Sequence, residues 1–270
     1  MKKRVIKLSY FFDNKKSDIK KDSFSTLDDI RKSLEDYNYC KYVYSLNSYL
    51  IDFYIYRHLY YALNLENFKK NKVILDLGCA DGPFLPTLNL YGKKVIGLDL
   101  LSEWLLRAKD LIKSKKYLLK KVVLLNAEGH YIPFRNNSID LIYCLETLEH
   151  IPNTIELINE IYRILKINGI LIYSLPIEIG FSLIIRQLTG ILVKFPTDTY
   201  TLKELLRNGI LKRPGKHINT TSTHKNFDWR KIQKLIKQKF KQIEIIHSPF
   251  PFLRTLNPTV IFKSKKFQDE

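Results

Sequence analysis

The sequence predicts an α/β fold: a parallel sheet covered by helices on both faces, with an N-terminal helical extension and an insertion after the fifth strand. Three observations predict it. From Lys72 onward, short runs rich in Val, Ile and Leu alternate with stretches of helical period. Those runs are nearly continuous in apolar residues, as in strands buried on both faces. A bare segment with two glycines, "VILDLGCADGPFL" (Val73–Leu85), includes the first run, and an open α/β sheet binds ligands at the carboxyl ends of its strands.

Residues 1–70 form the extension. Its block "YNYCKYVYSLNSYLIDFYIYRHLYYALNL" has no Gly or Pro and repeats apolar residues every three or four positions. It reads as one or two helices whose aromatic stripe is a packing surface. The core spans 71–176. Its strands are "KVILDLG", "VIGLDL" (Val95–Leu100), "KVVLLNA" (Lys121–Ala127), "IDLIYCL" (Ile139–Leu145) and "GILIYSLP" (Gly169–Pro176). Helices "SEWLLRAKDLIKSKK" and "TIELINEIYRILK" follow the second and fourth strands. Residues 177–224 break the rhythm with an amphipathic stretch and the turn-rich "LKRPGKHINTTSTHKNF", so they read as an insertion at the carboxyl edge of the sheet. Residues 225–270 complete the core with the helix "DWRKIQKLIKQKF", N-capped by Asp228, and the strand "KQIEIIHSP". The tail "KSKKFQDE" reads as frayed.

A chain of 270 residues with 45% hydrophobic content suits one sizeable domain with appendages. No run of about 18 apolar residues offers a transmembrane helix. The basic N-terminus lacks the small-residue cleavage site of a signal peptide. Cys40, Cys79 and Cys144 lie far apart and form no CxxC pair. A cytoplasmic protein is the expectation. The net charge of +18 is uneven: residues 201–270 hold 16 basic and 5 acidic side chains, a surplus of +11. Such an end can face nucleic acid, an anionic membrane or an anionic substrate; a Lys-rich composition with a solvated basic face is the plainer reading.

Gly78 and Gly82 let the backbone approach a ligand closely. The loop has neither G-x-G-x-x-G nor Gly-Lys-Ser/Thr, which weakens both phosphate readings. Asp99 ends the second strand, where a carboxylate can accept from a ribose diol. Asn126 ends the third, where an amide can pair with an adenine edge. Each also fits a structural role, Asp99 as a helix cap and Asn126 in a turn.

Together these residues make Val73–Pro176 resemble the core of class I S-adenosylmethionine-dependent methyltransferases, and within them the type 11 family. "LDLGCADG", Asp99, the pattern Ala127, Glu128, Pro133, Phe134 and Ser138–Asp140, and "LKINGILIYSLP" carry the likeness. Ala80 stands where glycine is frequent, and Asn126 where an acid is usual. The resemblance implies a Rossmann-like fold with S-adenosylmethionine as cofactor. It implies a cofactor site of Asp76, Gly78, Cys79, Ala80, Gly82, Asp99, Leu100, Asn126, Ala127, Glu128 and Cys144. The loop would hold the methionine part, with Asp76 near its amino group, either binding it or bracing the loop.

After the fourth strand comes "CLETLEHIP". Glu146, Glu149 and His150 stand at i, i+3 and i+4, positions that share a face on a helical turn. The segment is similar to the E-x-x-E-H motif of ubiquinone-pathway and small-RNA methyltransferases, which implies a divalent metal, Mg²⁺, on these three residues. In the other reading His150 lines the cofactor pocket or acts as the base, a role its ordinary pKa suits. His217 and His224, in the insertion, either reach the acceptor or hold turns. His58, His130 and His247 read as packing or surface residues. The expected reaction is methyl transfer to a small-molecule or lipid-like acceptor, at oxygen, with Glu146, Glu149 and His150 as the catalytic set. An RNA acceptor on the basic C-terminal face is the alternative, and a non-catalytic cofactor-binding protein is another. The sequence sets neither acceptor nor oligomeric state.

Overall fold

The computed structural model of the chain describes residues 49–67, 72–113, 119–193, 198–217 and 224–267. The first 48 residues, including Cys40 and the start of the tyrosine-rich block, lie outside the described residues.

Among the described residues, seven strands form one sheet: β1 (Val73–Leu77), β2 (Lys94–Asp99), β3 (Val122–Asn126), β4 (Ile139–Cys144), β5 (Leu165–Pro176), β6 (Phe240–Ser248) and β7 (Thr259–Lys266). Their order is β3-β2-β1-β4-β5-β7-β6. The first five are parallel, as their apolar runs predict. β7 runs antiparallel to both β5 and β6, so the sheet is mixed. Only residues 249–258 join β6 to β7, too short a connection for a parallel crossover. The order reverses between β1 and β4, which opens the ligand crevice at their carboxyl ends.

Seven helices complete the described fold: α1 (Tyr49–Asn64), α2 (Leu85–Tyr91), α3 (Ser102–Lys113), α4 (Thr154–Ile164), α5 (Phe181–Val193), α6 (Leu202–Leu205) and α7 (Trp229–Lys237). Alternate strand residues feed two cores. Leu75, Leu77, Ile142 and Tyr173 pack with Leu157, Ile158 and Ile161 of α4 and Ile236 of α7. Ile74, Leu141 and Tyr143 pack with Leu59 and Leu63 of α1, Leu85 and Leu88 of α2, and Leu105 and Ala108 of α3. Asp228 caps α7 as expected, accepting the Arg230 N–H. No helix among the described residues is long and apolar enough to cross a membrane.

The tail departs from expectation. Lys263–Lys266 belong to β7 instead of fraying. Lys266 is buried, and its ammonium donates to Tyr162 O at 2.7 Å, Leu165 O at 2.8 Å and Asn137 Oδ1 at 2.8 Å. Two of these are carbonyls left open at the end of α4, so the cation also meets the negative end of that helix. A charged tail reads as solvated until the groups that would receive its charge are brought beside it.

The described part of the tyrosine-rich block, α1, is packing surface as expected, while residues 37–48 of the block lie outside the described residues. Tyr54 OH bonds Thr259 Oγ1 at 2.5 Å, and Lys263 Nζ donates to Leu65 O at 2.6 Å. His58 is buried there, stacked on Tyr54, with no hydrogen-bond partner for either ring nitrogen among the described residues. Burial lowers it from its ordinary 6.5 to about 4. The unfolded chain then binds the extra proton between those values, so His58 weakens the fold progressively as pH falls below 6.5. Unfolding free energies of wild type and His58→Phe in urea, compared at pH 7.5 and pH 4.5, should move in the variant's favour by about 2–3 kcal/mol on acidification. A difference that stays constant with pH would rule out neutral burial of this ring.

Candidate active site

β1 delivers its carboxyl end into a loop of three residues with positive φ: Gly78 at +79°, Ala80 at +48° and Gly82 at +80°. Ala80 thus holds a conformation that glycine takes without steric cost. The loop is tied to β2 at several points. Gly78 and Cys79 donate their N–H groups to Leu98 O at 2.8 and 3.0 Å. Asp99 Oδ2 accepts from Ala80 N at 2.8 Å, while Oδ1 accepts from Leu101 N at 2.9 Å, just ahead of α3. One carboxylate therefore holds the glycine loop and the start of the next helix together. Asn126, paired in register with Asp99, donates from Nδ2 to Asp99 O at 3.0 Å and Leu100 O at 2.7 Å. Its amide nitrogen is engaged by backbone, and its Oδ1 has no partner among the described residues.

The other expected cofactor contacts differ in access. Leu100 and Glu128 are exposed and Ala127 is half-buried. Glu128 bonds His130 Nδ1 at 2.8 Å. Cys79 and Cys144 are buried free thiols, both pushed up by burial. Asp76 is buried on β1 without a hydrogen-bond partner among the described residues, and burial, reinforced by the Asp99 charge, lifts it to about 7.

A second cluster stands at the end of β4. The helical face expected over Glu146, Glu149 and His150 does not form. Only Leu148–His150 make a 3₁₀ turn, and Glu146 precedes it at φ +48°. That backbone turns Glu146 toward β5, where its N–H donates to Ser174 Oγ at 2.8 Å and its Oε1 accepts from the same hydroxyl at 2.8 Å. His224 of the insertion joins the other two instead. His150 Nε2 and His224 Nε2 are 3.1 Å apart, and Glu149 Oε1 is 3.9 Å from the first and 3.7 Å from the second. One ligand atom from each residue falls within 4.8 Å of the others, the spacing that a shared cation would need.

Burial governs the charges here. Glu149 is pushed well above the ordinary carboxylate range by burial and then by the neighbouring Glu146. Burial also lifts Glu146 to about 7, against the Ser174 hydrogen bond. His224 is lowered to about 3 by burial and by His150, so its ring is neutral. His217 has a different task. Its Nδ1 faces Lys225 O at 2.9 Å and its Nε2 faces Glu149 O at 3.0 Å, while its ring meets Phe227 edge-on. It ties the insertion to the 3₁₀ turn.

Sequence reasoning missed the partners that the insertion supplies. Glu178, two residues beyond β5, forms a buried bidentate ion pair with Arg186 of α5 and accepts from Tyr200 OH at 3.0 Å. Asp198 Oδ2 accepts the His224 N–H at 2.9 Å. An acid just past a buried strand was the available signal for Glu178, the same signal that singles out Asp99.

Comparison with known proteins adds likenesses to this geometry. Residues 75–173 match the family model described as a methyltransferase domain. The sterol 24-C-methyltransferase of Pneumocystis carinii is 32% identical over 115 residues, covering 42% of this chain and 30% of that protein. The ubiquinone biosynthesis O-methyltransferase of Glaesserella parasuis is 25% identical over 146 residues, covering 53% of this chain and 62% of that protein. The chain spans about a third of the length of the sterol methyltransferases it matches. A solved SAM-dependent methyltransferase from Aquifex aeolicus superposes with a TM-score of 0.53 at 15% identity, covering 90% of this chain and 100% of that one. At that identity the likeness shows the fold, which is Rossmann-like.

The two constellations touch at Gly78. A Cβ there would fall onto the Thr147 side chain, in a backbone already at φ +79°. Gly180 has the same φ, but a Cβ there would meet only Lys212 Cε at 3.7 Å. In urea titrations Gly180→Ala should cost about 1–2 kcal/mol, the left-handed strain alone. Gly78→Ala should cost at least about 2 kcal/mol more, through overpacking. Equal losses would mean that the loop yields freely.

Proposed function

Taking residues 75–173 as a methyltransferase domain, we propose that this chain transfers a methyl group from S-adenosylmethionine to an oxygen of a small-molecule or lipid-like acceptor, with residues 177–224 covering the acceptor. One observation carries the proposal. The glycine loop, Asp99 and Asn126 stand at the carboxyl ends of adjacent β1, β2 and β3, while an acid–histidine cluster stands across the switch point at the end of β4.

When bound, the cofactor supplies an electrophilic methyl carbon on a sulfonium. The residues do the rest. Each oxygen of Asp99 accepts one backbone N–H and keeps a further lone pair for a ribose hydroxyl. Asn126 Oδ1 is available to an adenine amino group. Asp76 sits poised near 7, and an ammonium beside it would hold it ionised. The acceptor hydroxyl must lie at about 3–3.5 Å from the methyl carbon. Its proton goes to a ring nitrogen of the His150–His224 pair, whose two Nε2 atoms hold one hydrogen bond between them.

The cluster also fits a divalent metal, held by Glu149, His150 and His224 in place of the set with Glu146. Two imidazole nitrogens and one carboxylate oxygen suit Zn²⁺ or Fe²⁺ and not Mg²⁺, which takes oxygen ligands. A metal there would lower the pKa of the acceptor hydroxyl.

Calorimetric titration with S-adenosylhomocysteine should give micromolar binding to wild type, weakened at least tenfold in Asp99→Ala. No binding by folded wild type would remove the cofactor assignment. His150→Ala and His224→Ala should keep that affinity while methyl incorporation from labelled cofactor into a lipid extract falls about 10²-fold or more. Undiminished incorporation in both variants would remove the histidine pair from the reaction.

A further inference from the structure

α5 turns two faces to different surroundings. Ser182 and Leu183 point inward, and Ser182 Oγ donates to Asn257 O at 2.6 Å. Phe181, Ile185 and Leu188, at i, i+4 and i+7, are exposed. These positions lie on one side of a helix. The flanks of α5 are occupied by elements that also present apolar side chains outward. On one flank, where Ile184 packs against Gly209, α6 continues into a π-turn (Leu206–Ile210). Leu202, Leu206 and Ile210 are exposed there, Leu202 to 74%. On the other flank, beside Asn257, runs the 3₁₀ segment Pro251–Leu256, with Phe252 exposed to 77%. No described element packs over these side chains. Scattered exposed apolar residues are ordinary, but three adjoining elements that each aim theirs outward make a patch of the kind that marks an interaction surface.

The charges around the patch identify its occupant. Lys203 lies beside Leu202, Lys212 and Arg213 follow the π-turn, and Arg254 lies within the 3₁₀ segment; all four are exposed. The Lys212 side chain reaches the start of α5, 3.7 Å from where a Gly180 Cβ would be. Among the described residues, nearby acids are engaged: Glu204 with Lys225 at 2.9 Å and with the Thr201 cap, and Asp228 with Arg230 at 2.8 Å. Apolar side chains ringed by exposed cations match a layer of acyl chains beneath anionic headgroups. A second copy would bring a like-charged rim against this one. Single-stranded RNA would call for exposed aromatic platforms, whereas this surface is mostly Leu and Ile.

We propose that the surface of α5, the α6–π segment and the 3₁₀ turn docks this chain on an anionic lipid bilayer. The docking itself does not depend on the reaction. If the proposed reaction holds, it has a consequence for substrate entry, because Arg186 on the inner side of α5 joins Glu178 at the edge of the acid–histidine cluster. A lipid-like acceptor leaving the bilayer would then meet the cluster one helix away.

Flotation of the full chain with vesicles of phosphatidylcholine and phosphatidylglycerol at 7:3 tests the surface. Bound protein is expected at 100 mM salt, with at least tenfold less on pure phosphatidylcholine or at 500 mM salt. Leu202→Ser/Phe252→Ser should lose at least tenfold in binding with an unchanged melting temperature. Lys212→Glu/Arg213→Glu should do the same. Leu106→Ser, which alters an exposed leucine of α3, should bind as wild type. Wild type that fails to float, or a Leu202→Ser/Phe252→Ser variant that floats fully, overturns the proposal. So does a concentration-dependent dimer, abolished by that variant, in protein that ignores vesicles. Because binding is read without turnover, its failure leaves the methyltransferase reading untouched, and loss of cofactor binding leaves the docking result untouched.

Discussion

The Asp99 carboxylate is the contact on which the candidate site depends. One oxygen holds the Ala80 N–H of the glycine loop and the other holds the Leu101 N–H ahead of α3. A loop with three residues in the left-handed region has few of the hydrogen bonds that regular structure supplies, so its shape must be imposed from outside. β2 imposes it through Leu98 O and Asp99, and Asn126 of β3 braces β2 in turn. Three strand ends are thereby fixed relative to one another before any ligand arrives. Preorganisation of this kind lets a site bind without paying again for loop order.

The carboxyl edge of the sheet gathers acids that water would ordinarily solvate. Asp76, Glu149 and Glu178 are buried there, and Asp76 and Glu146 are lifted to about 7. Burying several carboxylates together is unfavourable unless some are protonated or a cation joins them. Glu178 has its cation in Arg186. Asp76 and the Glu149–His150–His224 cluster are the places where a positively charged ligand group or ion would relieve the cost.

The described residues that follow β5 meet the sheet edge through polar contacts as well as packing. His217 spans from Lys225 O to Glu149 O, and Arg186 reaches from α5 to Glu178. α5 therefore works on both sides: its inner side chains reach the edge of the cluster while its outer ones face away from the protein.

The five parallel strands, the glycine loop and Asp99 were legible in the sequence because each depends on local rules. Apolar runs of strand length, glycines where the backbone must turn, and an acid at a strand end are written in adjacent residues. Asp228 as a cap was legible for the same reason. The antiparallel β7, the buried role of Lys266 and the replacement of Glu146 by His224 were not. His224 lies 74 residues from His150 and Lys266 lies 101 from Leu165, and no periodicity links residues so far apart. The sequence by itself determined the core architecture and the glycine loop, because hydrophobic period and backbone sterics act over a few residues. Only the tertiary structure decided which acid and which histidines meet, because that depends on where an insertion folds back and on which charges burial forces together.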